Sequence, residues 1–248
     1  MIQTRLVMGM PITVEVIDFD ALSIIDKVFD YFIYVDNKFS VYKKDSEIMQ
    51  INRKEILLKN SSADMQEIFH LAEQTKQETD RYFDIINRSG IYDPSGIVKG
   101  WAIYKASKII EQAGFKNYYV DAGGDIQVGG KNSQNKQWKI GIKNPFNQEE
   151  IIKTVYLDDQ GIATSGTYIR GQHIYNPKSK SSDITEIVSL SVIGPNVYEA
   201  DRFATAAFAM GKAGIHLIER IKGLEGYIID SSGIATMTSG FEKYTIIK

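Results

Sequence analysis

Apolar residues in this chain switch repeatedly between two spacings, the alternation typical of strands and the three-to-four-residue spacing typical of helices. Alternation predicts strands over 10–18, 187–193 and 244–247, and helical spacing predicts helices over 20–37 and 199–210. Several predicted strands are short and follow one another without an intervening helix. We therefore expect an α+β fold in which mixed sheets pack against helices, rather than a regular series of strands and crossover helices.

Composition argues against several classes of protein. No linker, internal repeat or low-complexity stretch divides the 248 residues, so we predict one domain over 1–248. Lys and Arg number 29 and Asp and Glu 31, and a formal net charge of -2 argues against a generally basic nucleic-acid-binding protein. There is no cysteine and no apolar run of the roughly 18 residues that a membrane helix needs. Because the chain also opens without a signal-peptide pattern, we expect a cytoplasmic protein with neither membrane nor nucleic-acid partners.

Two glycine-containing segments could approach a phosphate group. The segment 93–100 leads into a helix predicted over 100–112, where backbone N–H groups suit an anion and Lys99 would add a positive charge. In the segment 121–125, two adjacent glycines stand between acidic residues, and glycine allows a positive φ or a close backbone approach. Taken alone, each segment is more simply explained as a capped loop or a β-turn, so neither fixes a function.

Two further groups of polar residues suggest chemistry. Asp201 and Thr205 are four residues apart on a predicted helix, so their oxygens share one face. A carboxylate with a hydroxyl suits a hard cation such as Mg²⁺, although a helix-terminal Asp and a buried Thr bonded to backbone would give the same spacing. His173 closely follows the hydroxyl-rich segment 164–168, and a neutral imidazole accepts a proton near pH 7. For His173 alone, a structural and a catalytic role both remain open.

The chain contains nine short sequence motifs, and their order along the chain is more specific than any one motif. They are Met8-Gly9-Met10; Phe39-Ser40-Val41-Tyr42 with Ser46-Glu47-Ile48 and Asn52; Arg81-Tyr82-Phe83-Asp84; 93–100; Gly123-Gly124-Asp125; 138–145; 164–168; 173–177; and 200–206. This series resembles, from about Met8 to the C-terminal end, the motifs of the ApbE family of flavin transferases. One such motif would be weak evidence, but nine in the right order are strong evidence.

The resemblance implies a fold and a reaction. The fold would be an α+β arrangement of the ApbE type. The reaction would be the Mg²⁺-dependent transfer of FMN from FAD to a Thr or Ser hydroxyl of a target flavoprotein, with formation of a phosphoester bond and release of AMP. In phosphoryl transfer, positioning and charge stabilisation carry most of the catalysis, and Mg²⁺ offsets the charge that develops on the phosphate oxygens.

The resemblance also assigns roles to particular residues. Asp201, Thr205 and the backbone carbonyl of Gly96 match the metal ligands of the family. His173 matches a histidine that helps to deprotonate the acceptor hydroxyl. The positions that match the lining of the FAD site are Met8, Tyr42, Tyr82, Phe83, Asp84, Asp93, Lys99 and Ile174.

The chain departs from the family pattern in three places, and two alternative functions stay open. Asn176 stands where the family has an aspartate, which would make His173 a weaker base, and Met10 replaces a threonine. Only eight residues separate Asp84 from Asp93, where family members usually carry a much longer segment. The first alternative is an FAD pyrophosphatase, in which water replaces the acceptor hydroxyl. The second is a flavin-binding or carrier protein without transferase activity.

Overall fold

One antiparallel sheet of eight strands organises the computed structural model, which describes residues 1–18, 20–167, 174–179 and 184–247. The strands are β1 (Ile2–Val7), β2 (Met10–Val16), β3 (Tyr118–Ala122), β4 (Asp125–Gly129), β5 (Trp138–Asn144), β6 (Asn147–Leu157), β7 (Gly161–Gly166), β8 (Ile187–Gly194), β9 (Glu225–Asp230) and β10 (Ala235–Met237). The sheet has the order β1-β2-β3-β4-β7-β8-β9-β10, and β5 and β6 pair with each other in a separate two-stranded sheet. All the pairs are antiparallel.

Helices cover one face of the large sheet. They are α1 (Leu22–Phe39), α2 (Glu47–Asn52), α3 (Ala63–Glu78), α4 (Ser95–Gln112), α5 (Val197–Ala209) and α6 (Gly214–Arg220), with short 3₁₀ turns at Leu58–Asn60, Gly211–Ala213 and Phe241–Tyr244. On α1, the helically spaced Ile25, Val28, Phe29 and Phe32 are fully buried. Burial of each such side chain stabilises the folded protein by about 1.5–3 kcal/mol. The larger core cluster therefore lies between the sheet and these helices.

The β5–β6 hairpin covers the other face of the sheet. Alternation along β5 points Trp138, Ile140 and Ile142 inwards, where they join a second core cluster with Ile126 and Phe241. The Trp138 indole N–H donates to the carbonyl of Gly129 at 3.0 Å, which ties the hairpin to the end of β4. The protein thus has three layers, with helices, the large sheet and the hairpin in that order.

Three strand ends meet at one end of the large sheet because neighbouring strands run antiparallel. The turn between β1 and β2 contains Met8 (φ +56°) and Gly9 (φ +72°), and the turn between β3 and β4 contains Gly123 (φ +63°) and Gly124 (φ +97°). Two positive φ angles in succession are typical of two-residue hairpin turns, whose twist matches that of the strands. Strand β7 also ends here, at Gly166.

The predicted α+β fold with packed helices is confirmed, whereas the two sheets are antiparallel and not mixed. The strand predicted over 10–18 is β2, and the helix predicted over 199–210 is α5. The helix predicted from Gly100 begins instead at Ser95, so the glycine-containing segment belongs largely to α4 itself. The strand predicted over 244–247 is wrong, because a 3₁₀ turn ends at Tyr244 and residues 245–247 form no strand. In the part of the chain that the structure describes, no helix is long and apolar enough to cross a membrane.

Replacement of Phe29 by alanine tests the importance of the helix layer. Phe29 is fully buried under the sheet, so the Phe29→Ala variant should lower the free energy of unfolding by about 3–5 kcal/mol, as for other large core side chains. The matched control is Ile33→Ala, because Ile33 lies on the same helix but is 45% exposed, and its cost should stay below about 1 kcal/mol. Urea unfolding measures both values, and equal losses would contradict this packing.

Candidate active site

A cavity of about 740 Å³ opens where the three strand ends meet. Its helix wall consists of the amino end of α4 with Asp201 and Thr205 of α5. Its hairpin wall includes residues 139–143 of β5. The glycine turn after β3 and residues 164–166 of β7 complete the lining. The cavity therefore lies between the two layers that cover opposite faces of the sheet.

Three oxygen donors from α4 and α5 come together on the helix wall. The Thr205 hydroxyl donates to the carbonyl oxygen of Gly96 at 3.3 Å. One turn earlier on α5, Asp201 accepts the backbone N–H of Gly100 at 2.8 Å through Oδ2. The two helices approach closely because Gly100 has no side chain: a Cβ atom there would lie 2.6 Å from the Cβ of Asp201. The structure thus brings together the predicted metal ligands Gly96, Asp201 and Thr205.

Two buried carboxylates, those of Asp201 and Asp125, lie near one lysine, Lys99, beside these oxygen atoms. Asp201 is 4% exposed, and burial raises its pKa to about 7, with Lys99 acting to lower the pKa and the carboxylate of Asp125 acting to raise it. Asp125 is 1% exposed, forms an ion pair with Lys99 at 2.7 Å and accepts the N–H of Thr164 at 3.0 Å. Two buried carboxylates share one lysine, so a further cation would be stabilised here.

The donor set suits a hard divalent cation. A carboxylate, a hydroxyl and a carbonyl are the oxygen ligands that Mg²⁺ accepts, and three protein ligands leave positions for water or phosphate. The described residues contain no cluster of three or more His, Cys, Asp and Glu side chains that could hold a metal ion. That finding agrees with this site, because only Asp201 among its three donors belongs to those residue types. Asp201, Thr205 and the Gly96 carbonyl therefore fit Mg²⁺.

Most of the residues predicted to contact FAD line this cavity. They are Tyr82, Phe83, Asp84, Asp93, Lys99 and Ile174. Asp84 forms an ion pair with Lys76 at 2.7 Å. Asp93 accepts the N–H of Ser95 at 3.1 Å and so stabilises the start of α4. The amino end of a helix favours anions, so this wall offers a place for phosphate beside the oxygen donors.

The other predicted site residues lie elsewhere. Met8 occupies the left-handed turn after β1 and packs partly against the larger core cluster, while its neighbours Gly9 and Met10 line the cavity. Tyr42 is 94% exposed and does not line the cavity. His173 lies outside the described residues. The proposed contacts of these three residues therefore stay predictions.

Several lining residues had no role assigned to them from the sequence, although Asp121 belongs to the glycine-containing segment 121–125. Asp121 accepts the N–H of Gly124 at 2.8 Å and the Tyr119 hydroxyl at 3.1 Å, and burial raises the pKa of its carboxyl. Lys139 and Lys143 of β5 also line the cavity. The alternation along β5 was visible in the sequence, but it does not say that β5 leaves the large sheet and covers its opposite face.

The short segment between Asp84 and Asp93 contributes Asn87 to the lining of the cavity. Its ends are joined by a bridge between Ile86 and Tyr92. The Tyr175 hydroxyl donates to the carbonyl of Ile86 at 2.9 Å, and the Arg88 guanidinium lies 4.7 Å from the centre of the Tyr175 ring. The segment therefore contacts 174–179, which contributes Ile174 to the cavity.

Curated relatives resemble this chain in part of their length. The protein named FAD:protein FMN transferase from Klebsiella pneumoniae is 27% identical over 173 residues, which cover 62% of this chain and 49% of that protein. A protein of the same name from Vibrio cholerae is 31% identical over 129 residues, which cover 48% of this chain and 39% of that protein. The chain thus spans about half the length of these relatives, or less.

Solved structures share the fold over nearly the whole chain. The flavin transferase ApbE from Vibrio cholerae superposes with a TM-score of 0.87 at 20% identity and covers 98% of both chains. The ApbE protein from Thermotoga maritima gives a TM-score of 0.87 at 20% identity over 99% of both chains. At such identity the likeness shows the fold alone. The family model described as the ApbE family matches residues 8–92 and 86–228, and the chain therefore belongs to the ApbE family.

Proposed function

We propose that this chain is an Mg²⁺-dependent FAD:protein FMN transferase, which moves FMN from FAD to a Thr or Ser hydroxyl of a target flavoprotein and releases AMP. The observation that carries the proposal is the meeting of the Gly96 carbonyl, the Thr205 hydroxyl and the Asp201 carboxylate beside the amino end of α4. Membership of the ApbE family and the printed names of the relatives support the same activity.

The reaction replaces the phosphoanhydride bond of FAD by a phosphoester bond to the acceptor. The acceptor oxygen forms a bond to the phosphorus of the FMN half, and the bond from that phosphorus to the bridging oxygen breaks. AMP leaves with the bridging oxygen, and the hydroxyl proton passes to a base, for which we propose His173. Mg²⁺ held by Asp201, Thr205 and the Gly96 carbonyl would supply neutralisation of phosphate charge.

The described residues have distinct proposed tasks. The amino end of α4 and Lys99 favour the negative diphosphate, and the Asp125 carboxylate fixes the Lys99 ammonium group at 2.7 Å. The aromatic rings of Tyr82 and Phe83 offer stacking surfaces for a flavin or adenine ring. We propose that Asp84, Asp93 and Ile174 complete the contacts with FAD, and that Met8 and Tyr42 contact it as in the family pattern.

A flavin-binding protein without transferase activity is the second candidate. Asn176 favours it, because this residue stands where the family has an aspartate beside the proposed base. In the structure the Asn176 side chain accepts the N–H of Lys178 at 2.9 Å and thereby stabilises a turn. An amide cannot carry the negative charge that would raise the basicity of a nearby histidine.

Mass spectrometry of a candidate flavoprotein separates these possibilities. The flavoprotein, free of covalent flavin, is incubated with this chain, FAD and Mg²⁺, and its intact mass and modified peptides are recorded. Covalent FMN on a Thr or Ser, with one AMP released per flavin, is the expected result. Release of AMP and FMN without modification would instead indicate a pyrophosphatase. FAD that stays bound and intact would indicate a flavin-binding protein.

The Asp201→Asn variant tests the metal ligand. The amide keeps the size of the side chain but removes its negative charge, so the rate of FMN transfer should fall by at least about 100-fold. The matched control is Asp158→Asn, because Asp158 pairs with Lys131 away from the cavity and should leave the rate within about twofold. Transfer rates that change equally in the two variants would contradict the assignment of Asp201.

The pH dependence of Mg²⁺ binding provides a second test of Asp201. Its carboxyl has a pKa raised to about 7, so the protonated form predominates at lower pH in the metal-free protein. Because the metal ion binds the ionised form, the apparent affinity should fall about tenfold for each pH unit below 7 and level off above 7. Calorimetry in buffers of different ionisation enthalpy should find about one proton released per Mg²⁺ at pH 6. An affinity that is flat between pH 5.5 and 7 would contradict this prediction.

A further inference from the structure

Two lysines of β5 form the charged part of the hairpin wall. Because side chains alternate along a strand, the burial of Trp138, Ile140 and Ile142 against the core leaves Lys139 and Lys143 on the opposite face of β5. Both lysines are exposed, and both line the cavity. The residue between them on this face is Gly141, and the Ile151 side chain of β6 lies over it, since a Cβ atom on Gly141 would be 2.7 Å from Ile151 Cδ1.

These lysines differ from the lysine on the helix wall. Lys99 is largely buried and forms an ion pair with Asp125 at 2.7 Å. Lys139 and Lys143 form no ion pair within the described residues. The positive charge of Lys143 acts to lower the pKa of the Asp121 carboxyl. Their ammonium groups are therefore available to a molecule that reaches the cavity from the solvent.

The two walls suit different binding partners. The helix wall combines the oxygen donors of the metal site with the amino end of α4, and these features serve the diphosphate of FAD. The acceptor protein must bring its hydroxyl to that diphosphate from the solvent, and Lys139 and Lys143 are exposed lysines of the cavity lining. Exposed positive side chains beside a binding cavity attract an acidic partner and orient it, which raises the association rate more than the turnover rate.

We propose that Lys139 and Lys143 bind an acidic segment of the acceptor protein next to the Thr or Ser that receives FMN. This inference rests on the proposed function and specifies the chemistry of its protein partner. Four residues of a strand span about 13 Å, so the lysines match carboxylates a similar distance apart, such as residues four apart in an extended segment.

Charge reversal at both lysines tests the proposal. The Lys139→Glu/Lys143→Glu variant should raise the KM for the acceptor flavoprotein by about tenfold or more and leave kcat within about twofold, because binding and not chemistry is weakened. The FAD dissociation constant, measured by flavin fluorescence, should stay within about twofold of the starting protein. The charge-matched control is Lys116→Glu/Lys136→Glu, since both of these lysines are exposed and neither lines the cavity.

Compensation in the acceptor gives the inverse experiment. Replacement of the acidic residues beside the accepting Thr or Ser by lysine should weaken binding to the starting protein and restore binding to the charge-reversed variant. An unchanged acceptor KM in the charge-reversed variant, or a loss confined to FAD affinity, would overturn the proposal.

A binding measurement separates this proposal from the proposed function. The affinity of the acceptor flavoprotein is measured for Asp201→Asn alone and for Asp201→Asn combined with the lysine reversal, so that no turnover is needed. A loss of about tenfold in the combined variant supports the docking surface whether or not the starting protein transfers FMN. Equal affinities would refute the docking surface, whereas failure of the starting protein to modify any acceptor would refute the transferase activity.

Discussion

The close approach of α4 and α5 at Gly100 is the constraint on which the site depends. The backbone N–H of Gly100 donates to Asp201 at 2.8 Å, and a Cβ atom at this position would collide with that side chain. The same approach puts the Gly96 carbonyl within 3.3 Å of the Thr205 hydroxyl, although the two residues are 109 positions apart. Without this contact the Gly96 carbonyl, the Thr205 hydroxyl and the Asp201 carboxylate would not lie close together.

Burial of Asp201 is costly for the metal-free protein, and the neighbouring groups offset only part of that cost. A carboxylate removed from water needs hydrogen bonds and opposite charge, and here it has the Gly100 N–H and the nearby Lys99. Lys99 is also paired with Asp125, so the two acids compete for one ammonium group. Burial raises the pKa of Asp201 to about 7, the Asp125 carboxylate adds to this rise, and a bound divalent cation would favour the ionised form.

Sequence reasoning could predict features that depend on local spacing. The four-residue interval between Asp201 and Thr205 placed both on one helix face, and adjacent glycines at 123–124 predicted a turn with positive φ. The start of α4 was predicted five residues too late, because Pro94 precedes it without a side-chain cap to mark the boundary. The contributions of Lys139 and Lys143 could not be predicted, because they depend on β5 pairing with β6 across the sheet from the helices.

A crystal structure of the protein with Mn²⁺ in place of Mg²⁺ and with FAD would test the central claim most directly. Anomalous scattering locates the ion independently of the protein atoms. The account predicts one ion within about 2.0–2.3 Å of the Asp201 carboxylate, the Thr205 hydroxyl and the Gly96 carbonyl, with diphosphate oxygens on its open side. An ion bound elsewhere, with these three oxygens coordinating nothing while FAD occupies the cavity, would contradict it.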